Sequence, residues 1–144
     1  MAVVFLESPY SGDIDRNIRY LALCSLDAAL LHNECPYASH ANMTQHPRAK
    51  TMFVSDYDEK WNTVTREQGI ELSQRIRLRC DKTVFYTDLG WSSGMYAAKD
   101  YCVQRKFPFE ERKINIEELS KRVPYCSEEF CNHVLKGDYM KLLE

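Results

Sequence analysis

The sequence predicts an α/β domain: a mostly parallel sheet covered by helices on both faces, followed by a helical tail. Three observations carry this. Short apolar and β-branched runs stand at residues 2–8, 82–88 and 107–114. Stretches between them space their apolar residues as helices do. Strand and helix alternate along the chain, which is how parallel sheets are built.

The elements follow in order. "AVVFLES" at 2–8 reads as a buried strand that ends in a turn at Pro9, Tyr10, Ser11 and Gly12. Asp13 or Asp15 caps the next segment. Ile14, Ile18, Leu21, Ser25 and Ala29, with Ala22 and Leu26 alongside, predict a helix with one buried face to about Asn33. Pro36 lies just past its end, as at a stop. "PYASHAN" at 36–42 is a short second strand or an extended loop. Residues 43–57, with His46, Pro47 and Arg48, show no clear period and read as a long loop. Loops of that length are often functional.

From Asp58 a second helix carries Trp61, Val64, Gln68, Leu72, Ile76 and Cys80 on one stripe. "KTVFYTD" at 82–88 is the next strand, short, β-branched and central. A helix from about Ser93 to Arg105 follows, then a strand in "FPFEERKI" at 107–114, where Pro108 at the start tolerates its missing N–H. Asn115 and Glu118 form a capping-box pattern, and Ser127 caps a further helix. The chain thus divides into an α/β part, 1–114, and a helical extension of the same domain, 115–144.

The bulk properties narrow the class. The 144 residues are 44% hydrophobic and 28% charged, as in one globular domain with its own core. A net charge of -2 gives no basic footprint, so no nucleic-acid partner is expected. No apolar run approaches the roughly 20 residues of a membrane span, and the N-terminus has no positively charged leader. A cytoplasmic protein is expected. The 6 cysteines form no CxxC pair, and reduced, partly buried thiols follow. Cys126, Cys131 and His133 match no common zinc spacing, so neither metal nor cofactor is expected.

In parallel sheets ligands bind outside the carboxyl ends of the strands, where strand order reverses. Three segments occupy such ends: 8–12, 38–42 and 88–95. In the first, Ser8 and Ser11 offer hydroxyls, Gly12 lets backbone approach a ligand, and Pro9 and Tyr10 complete the loop. The helix that follows adds unpaired N–H groups, an anion-binding arrangement, although an ordinary helix cap has the same pattern. "WSSGM" repeats the layout: Ser92, Ser93, Gly94 and Met95 open a helix, again as ligand donors or as a cap. His40 lies at the second strand end. Asp88 ends the central strand, where a carboxylate would accept from ribose hydroxyls or a base amine, or cap the next helix. Arg66 suits phosphate if its helix end faces the pocket. Tyr10, Trp61 and Trp91 could stack on a base, with core packing the plainer reading for Trp61.

"VFLESPYSGDIDRNIRYL", "PYASH", "TREQGIELSQRIRLRCD" and "SSGM" follow the order and rough spacing of another family. Over about residues 3–113 the chain resembles the nucleoside 2-deoxyribosyltransferase-like proteins, especially their small phage and bacterial branch. The resemblance implies a Rossmann- or flavodoxin-like three-layer domain that assembles as a homo-oligomer. It also implies cleavage or exchange of the N-glycosidic bond of a nucleoside or nucleotide by a nucleophilic glutamate. Residues 8–12 match the family's first ligand loop and 92–95 its second. Asp81 matches the acid that starts the third strand, and Asp88 lies where the loop carboxylates lie. The departure is at the nucleophile: four residues after Gly94 stands Ala98. A shifted register gives Tyr96, and Asp100 points about 200° away on the helix. Asp88 and Tyr96 are thus the catalytic candidates of a rearranged site. The alternative is a non-catalytic, phage-type sponge for a cyclic or ADP-ribose-like nucleotide signal.

Overall fold

A computed structural model of the chain describes residues 1–39 and 66–138. Strand β1 (Ala2–Glu7) leads into helix α1 (Ile14–Leu26), which continues as a π-helical turn, Asp27–Leu31. Then come β2 (Glu34–Tyr37), α2 (Arg66–Arg77), β3 (Lys82–Tyr86), α3 (Ser93–Arg105), β4 (Phe109–Arg112), α4 (Ile116–Arg122) and α5 (Glu128–Lys136).

All four strands run parallel, in the order β2-β1-β3-β4. The chain moves from β1 outward to β2, crosses back over β1 to β3, and continues to β4. The direction of winding therefore reverses between β1 and β3, the arrangement of flavodoxin-like folds. Neighbouring strands are in register through pairs such as Glu7 with Phe85 and Tyr86 with Arg112.

Side chains alternate between the faces of each strand. Val4, Leu6, Val84 and Tyr86 join one core cluster with Tyr20, Leu21 and Cys24 of α1. Leu119, Val123, Cys126, Cys131 and Val134 belong to the same cluster, so the C-terminal segment completes the layer over this face. On the other face Phe85 packs with Met95 and Ala98 of α3. Arg77 of α2 lies over the Phe5 ring there, 4.2 Å from its centroid. The result is a three-layer α/β domain.

The caps follow their residue types. Asp13 accepts from the Arg16 N–H, Ser92 from Met95, Asn115 from Glu118 and Ser127 from Phe130. Three details differ from the sequence reading. The second strand begins at Glu34 and contains Pro36, which an edge strand tolerates. The fourth is confined to Phe109–Arg112. The buried face of α1 carries Asn17, Tyr20, Leu21, Leu23 and Cys24, while Ala22 and Ala29 are exposed. The stripe was turned because hydrophobicity alone excludes Asn17 and Tyr20, whose polar atoms find partners inside. The expected start of the second helix and the loop at 43–57 lie outside the described residues. No helix among the described residues is long and apolar enough to cross a membrane.

Candidate functional site

β1 and β3 are hydrogen-bonded neighbours, with Glu7 opposite Phe85. The loops that begin at Ser8 and Thr87 therefore leave the sheet side by side, at the reversal of strand order. Each has a glycine in the left-handed region: Gly12 at φ 95° and Gly90 at φ 82°. A side chain at either position would be strained, so these loops can take their shape only with glycine there.

Ser8 is the first residue beyond β1 and is 1% exposed. Its Oγ is buried and has no hydrogen-bond partner among the described residues. Buried hydroxyls nearly always find one, so this is an open valence in the floor of the loop. Pro9 and Tyr10 are half-buried, and Ser11 and Gly12 are exposed. Asn17, 1% exposed, donates from Nδ2 to the carbonyls of Tyr10 at 2.9 Å and Ser11 at 3.0 Å.

Asp88 is engaged structurally. Tyr20 Oη donates to its Oδ2 at 2.7 Å and accepts from the Asp88 N–H at 3.0 Å. The Ile114 N–H donates to the same oxygen at 3.1 Å. Burial pushes the Tyr20 hydroxyl far above its ordinary range, and Cys24 and Asp88 push it further. It therefore remains a neutral donor to Asp88. A carboxylate held this way is poorly placed to act as nucleophile or base.

The second loop is split between cap, surface and core. Ser92 Oγ accepts from the Met95 N–H at 3.2 Å, so Ser92 is the N-cap of α3. Ser93 and Gly94 are exposed in the first turn, which contains no carboxylate. Met95 is 1% exposed against Phe85: it fills the core instead of lining a pocket. The sequence reading offered it as a ligand contact, but its place in the first turn directs it into the core with Phe85 and Ala98. Tyr96 is 56% exposed and stacks on Trp91, ring centroids 5.2 Å apart. Ala98 is 4% exposed in the same cluster as Met95. The helix position where the resemblance expects a nucleophile thus faces apolar core. Asp81 accepts from the Val3 N–H at 2.7 Å and extends the pairing of β1 with β3.

His40 lies outside the described residues, so its expected place beside the two loops is not seen. Arg66 opens α2.

Sequence reasoning missed a buried ion pair on the face beneath the reversal. The Arg77 guanidinium is bonded to Glu7, and it also donates to Thr83 Oγ1 and Gln74 Oε1, each at 2.8 Å. A glutamate at the end of the buried run "VVFLE" was the available signal, since a charge there requires a counter-charge. Asn17 and Tyr20 left no comparable mark.

A second polar network stands on the α1 face. Tyr86 Oη donates to Asp27 Oδ2 at 2.7 Å, and the Asn115 N–H donates to Asp27 Oδ1 at 2.9 Å. Arg112 grips both oxygens of Glu34, at 2.7 and 3.1 Å, and Lys82 reaches the same carboxylate at 3.0 Å. Among the described residues no group of three or more His, Cys, Asp or Glu side chains is arranged to hold a metal. Cys126 and Cys131 are core residues; burial raises both thiols, Cys131 to about 11.

One family model, DUF7768, described as a domain of unknown function, matches residues 2–112. The matched part spans all four strands and stops before α4 and α5. No curated protein and no solved structure gives a significant match.

Proposed function

The chain belongs to the DUF7768 family of domains of unknown function, and from that premise we propose that it binds a nucleoside- or nucleotide-type ligand where the loops after β1 and β3 meet. The observation that carries the reading is the buried Ser8 hydroxyl at the reversal of strand order, which has no partner among the described residues. A ligand oxygen or nitrogen reaching it, with a small opening of the loop, supplies the missing hydrogen bond. Ser11 and Gly12 of the same loop are exposed, as are Ser93 and Gly94 at the start of α3. The residues Ser8, Ser11, Gly12, Ser93 and Gly94 are the contacts this reading assigns.

Capture is favoured over cleavage. Breaking an N-glycosidic bond through a covalent intermediate needs a nucleophile at the sugar. The side chain at 98 is a methyl group in the core, Tyr96 is stacked on Trp91, and Asp88 is held by Tyr20 and Ile114. The alternative form of this reading is a cytoplasmic, phage-type sponge that sequesters a cyclic or ADP-ribose-like nucleotide. A homo-oligomer belongs to the same proposal.

The test is incubation with nucleosides, deoxynucleotides, and cyclic and ADP-ribose-type nucleotides, followed by chromatography. Stoichiometric retention of one unchanged compound, released by heat, is the expected result. Release of free base would make the protein an enzyme, and retention of nothing would sink the proposal.

A further inference from the structure

Asn17 lies on the first turn of α1, where asparagine is a poor helix former. It is nevertheless 1% exposed and fully engaged. Its Oδ1 accepts from Arg16 Nε and a terminal guanidinium nitrogen, both at 3.3 Å. Its Nδ2 donates to two consecutive carbonyls, Tyr10 at 2.9 Å and Ser11 at 3.0 Å. Both peptide bonds are trans. In a trans peptide the N–H points opposite to the C=O of the same unit. Drawing the carbonyls of Tyr10 and Ser11 inward therefore turns the N–H groups of Ser11 and Gly12 outward. Both residues are exposed, and among the described residues neither N–H has an acceptor.

We infer that Asn17 is the positioning residue of the ligand loop: it fixes residues 8–12 so that the Ser11 and Gly12 N–H groups face the ligand and donate to its oxygens. This rests on the binding reading above and adds what the loop recognises, an oxygen-rich part of the ligand. The source is a phosphoryl group or a sugar, and the test separates the two. A loop held in its binding shape loses less conformational entropy when ligand arrives. The positive φ of Gly12 belongs to the same shape.

The experiment uses the full chain and NMR signals of the Ser11 and Gly12 amides. Wild-type protein is titrated with adenosine, AMP, ribose 5-phosphate and inorganic phosphate. Both amides are expected to shift with every probe that binds. A response to AMP and inorganic phosphate but not adenosine assigns the acceptor to phosphoryl; a response to adenosine assigns it to the sugar. In parallel, Asn17→Asp keeps the side-chain shape but removes both donors. Its affinity for the tightest probe is expected to fall about tenfold or more, while Asn17→Gln, which keeps the donors, loses less. Binding that shifts neither amide overturns the inference and leaves the binding proposal standing, which also covers an Asn17→Asp variant that fails to fold. Equal affinity in Asn17→Asp and wild type overturns it as well. Absence of binding by all four probes overturns the inference, while the binding proposal stands or falls on the wider nucleotide panel above.

Discussion

Tyr20 and Asp88 hold each other by two hydrogen bonds, one in each direction, between α1 and the end of β3. A second tyrosine–aspartate bridge joins the same two elements the other way round, Tyr86 of β3 to Asp27 at the end of α1. Consecutive backbone N–H groups, Ile114 and Asn115, then dock on the two carboxylates. The four side chains thus tie helix, central strand and the entry to the C-terminal helices together. Removing one hydroxyl tests the arrangement: Tyr20→Phe leaves the Asp88 N–H unpaired and is expected to cost about 1–3 kcal/mol in chemical denaturation. An unchanged midpoint would show that the bridge adds nothing.

Ser8→Ala is expected to separate stability from binding. The wild-type hydroxyl is buried and unpartnered, so its loss leaves the unliganded domain unchanged or more stable by up to about 1 kcal/mol. Affinity for the captured ligand should fall, on the order of tenfold for one hydrogen bond. Thermal melts with and without ligand read both effects. A destabilised apo protein would mean that Ser8 already has a structural partner.

Ala98→Glu would place a carboxylate at the helix position where the resemblance expects a nucleophile. In this fold it would be thrust among Phe85 and Met95. The expected outcome is a loss of stability on the order of 3 kcal/mol and no base release. A folded variant that liberates free base from a nucleoside would prove that this helix face opens on the site.

Gly94 has no conformational need to be glycine, because a Cβ there meets only Ser92 Oγ at 3.9 Å. Gly94→Asp should fold at least as well as wild type, helped by about 0.3–1 kcal/mol from a carboxylate in the first turn of a helix. The same charge repels an anionic ligand. Binding of AMP should therefore weaken more than binding of adenosine, as calorimetry would reveal. Equal affinities before and after would place the pocket away from α3.

Acid sensitivity is expected from Glu34. Burial by itself would raise this carboxyl, but hydrogen bonds from Arg112 and Lys82 outweigh it and hold the group below its ordinary 4.5. A lowered folded value means that the contribution is complete above about pH 4.5 and disappears as pH falls through the folded value. Stability measured from pH 6 down to 3 should therefore drop less steeply in Glu34→Gln than in wild type. Parallel curves would mean that other carboxylates govern the acid limb.

The strand and helix order was legible because local signals agreed with the fold. "AVVFLE" and "KTVFY" read as buried strands and are paired at the centre of the sheet. Asn115 and Ser127 read as caps and are caps. Where Asp13 or Asp15, and ligand donor or cap for Ser92, stayed open, the structure shows Asp13 and Ser92 as caps. The two candidate loops were chosen through the rule for parallel sheets, and they leave neighbouring strands. The roles within them were less legible. Asp88 looked free for a ligand because nothing in "TDLGW" reveals a tyrosine 68 positions earlier in the chain. Met95 was read as a ligand contact because the motif does not say which way the first turn faces.

By itself the sequence determined the alternation of strands and helices, the caps and the absence of a carboxylate at Ala98. These are local properties of period, side-chain type and backbone preference. Only the tertiary structure decided which polar groups were already taken. It joined Asp88 to Tyr20, Glu7 to Arg77 and the carbonyls of the first loop to Asn17, and among the described residues it left Ser8 without a partner. The physical reason is that hydrogen-bond satisfaction in a low-dielectric interior depends on groups far apart in the chain, which only the packed sheet brings within 3 Å or so of one another.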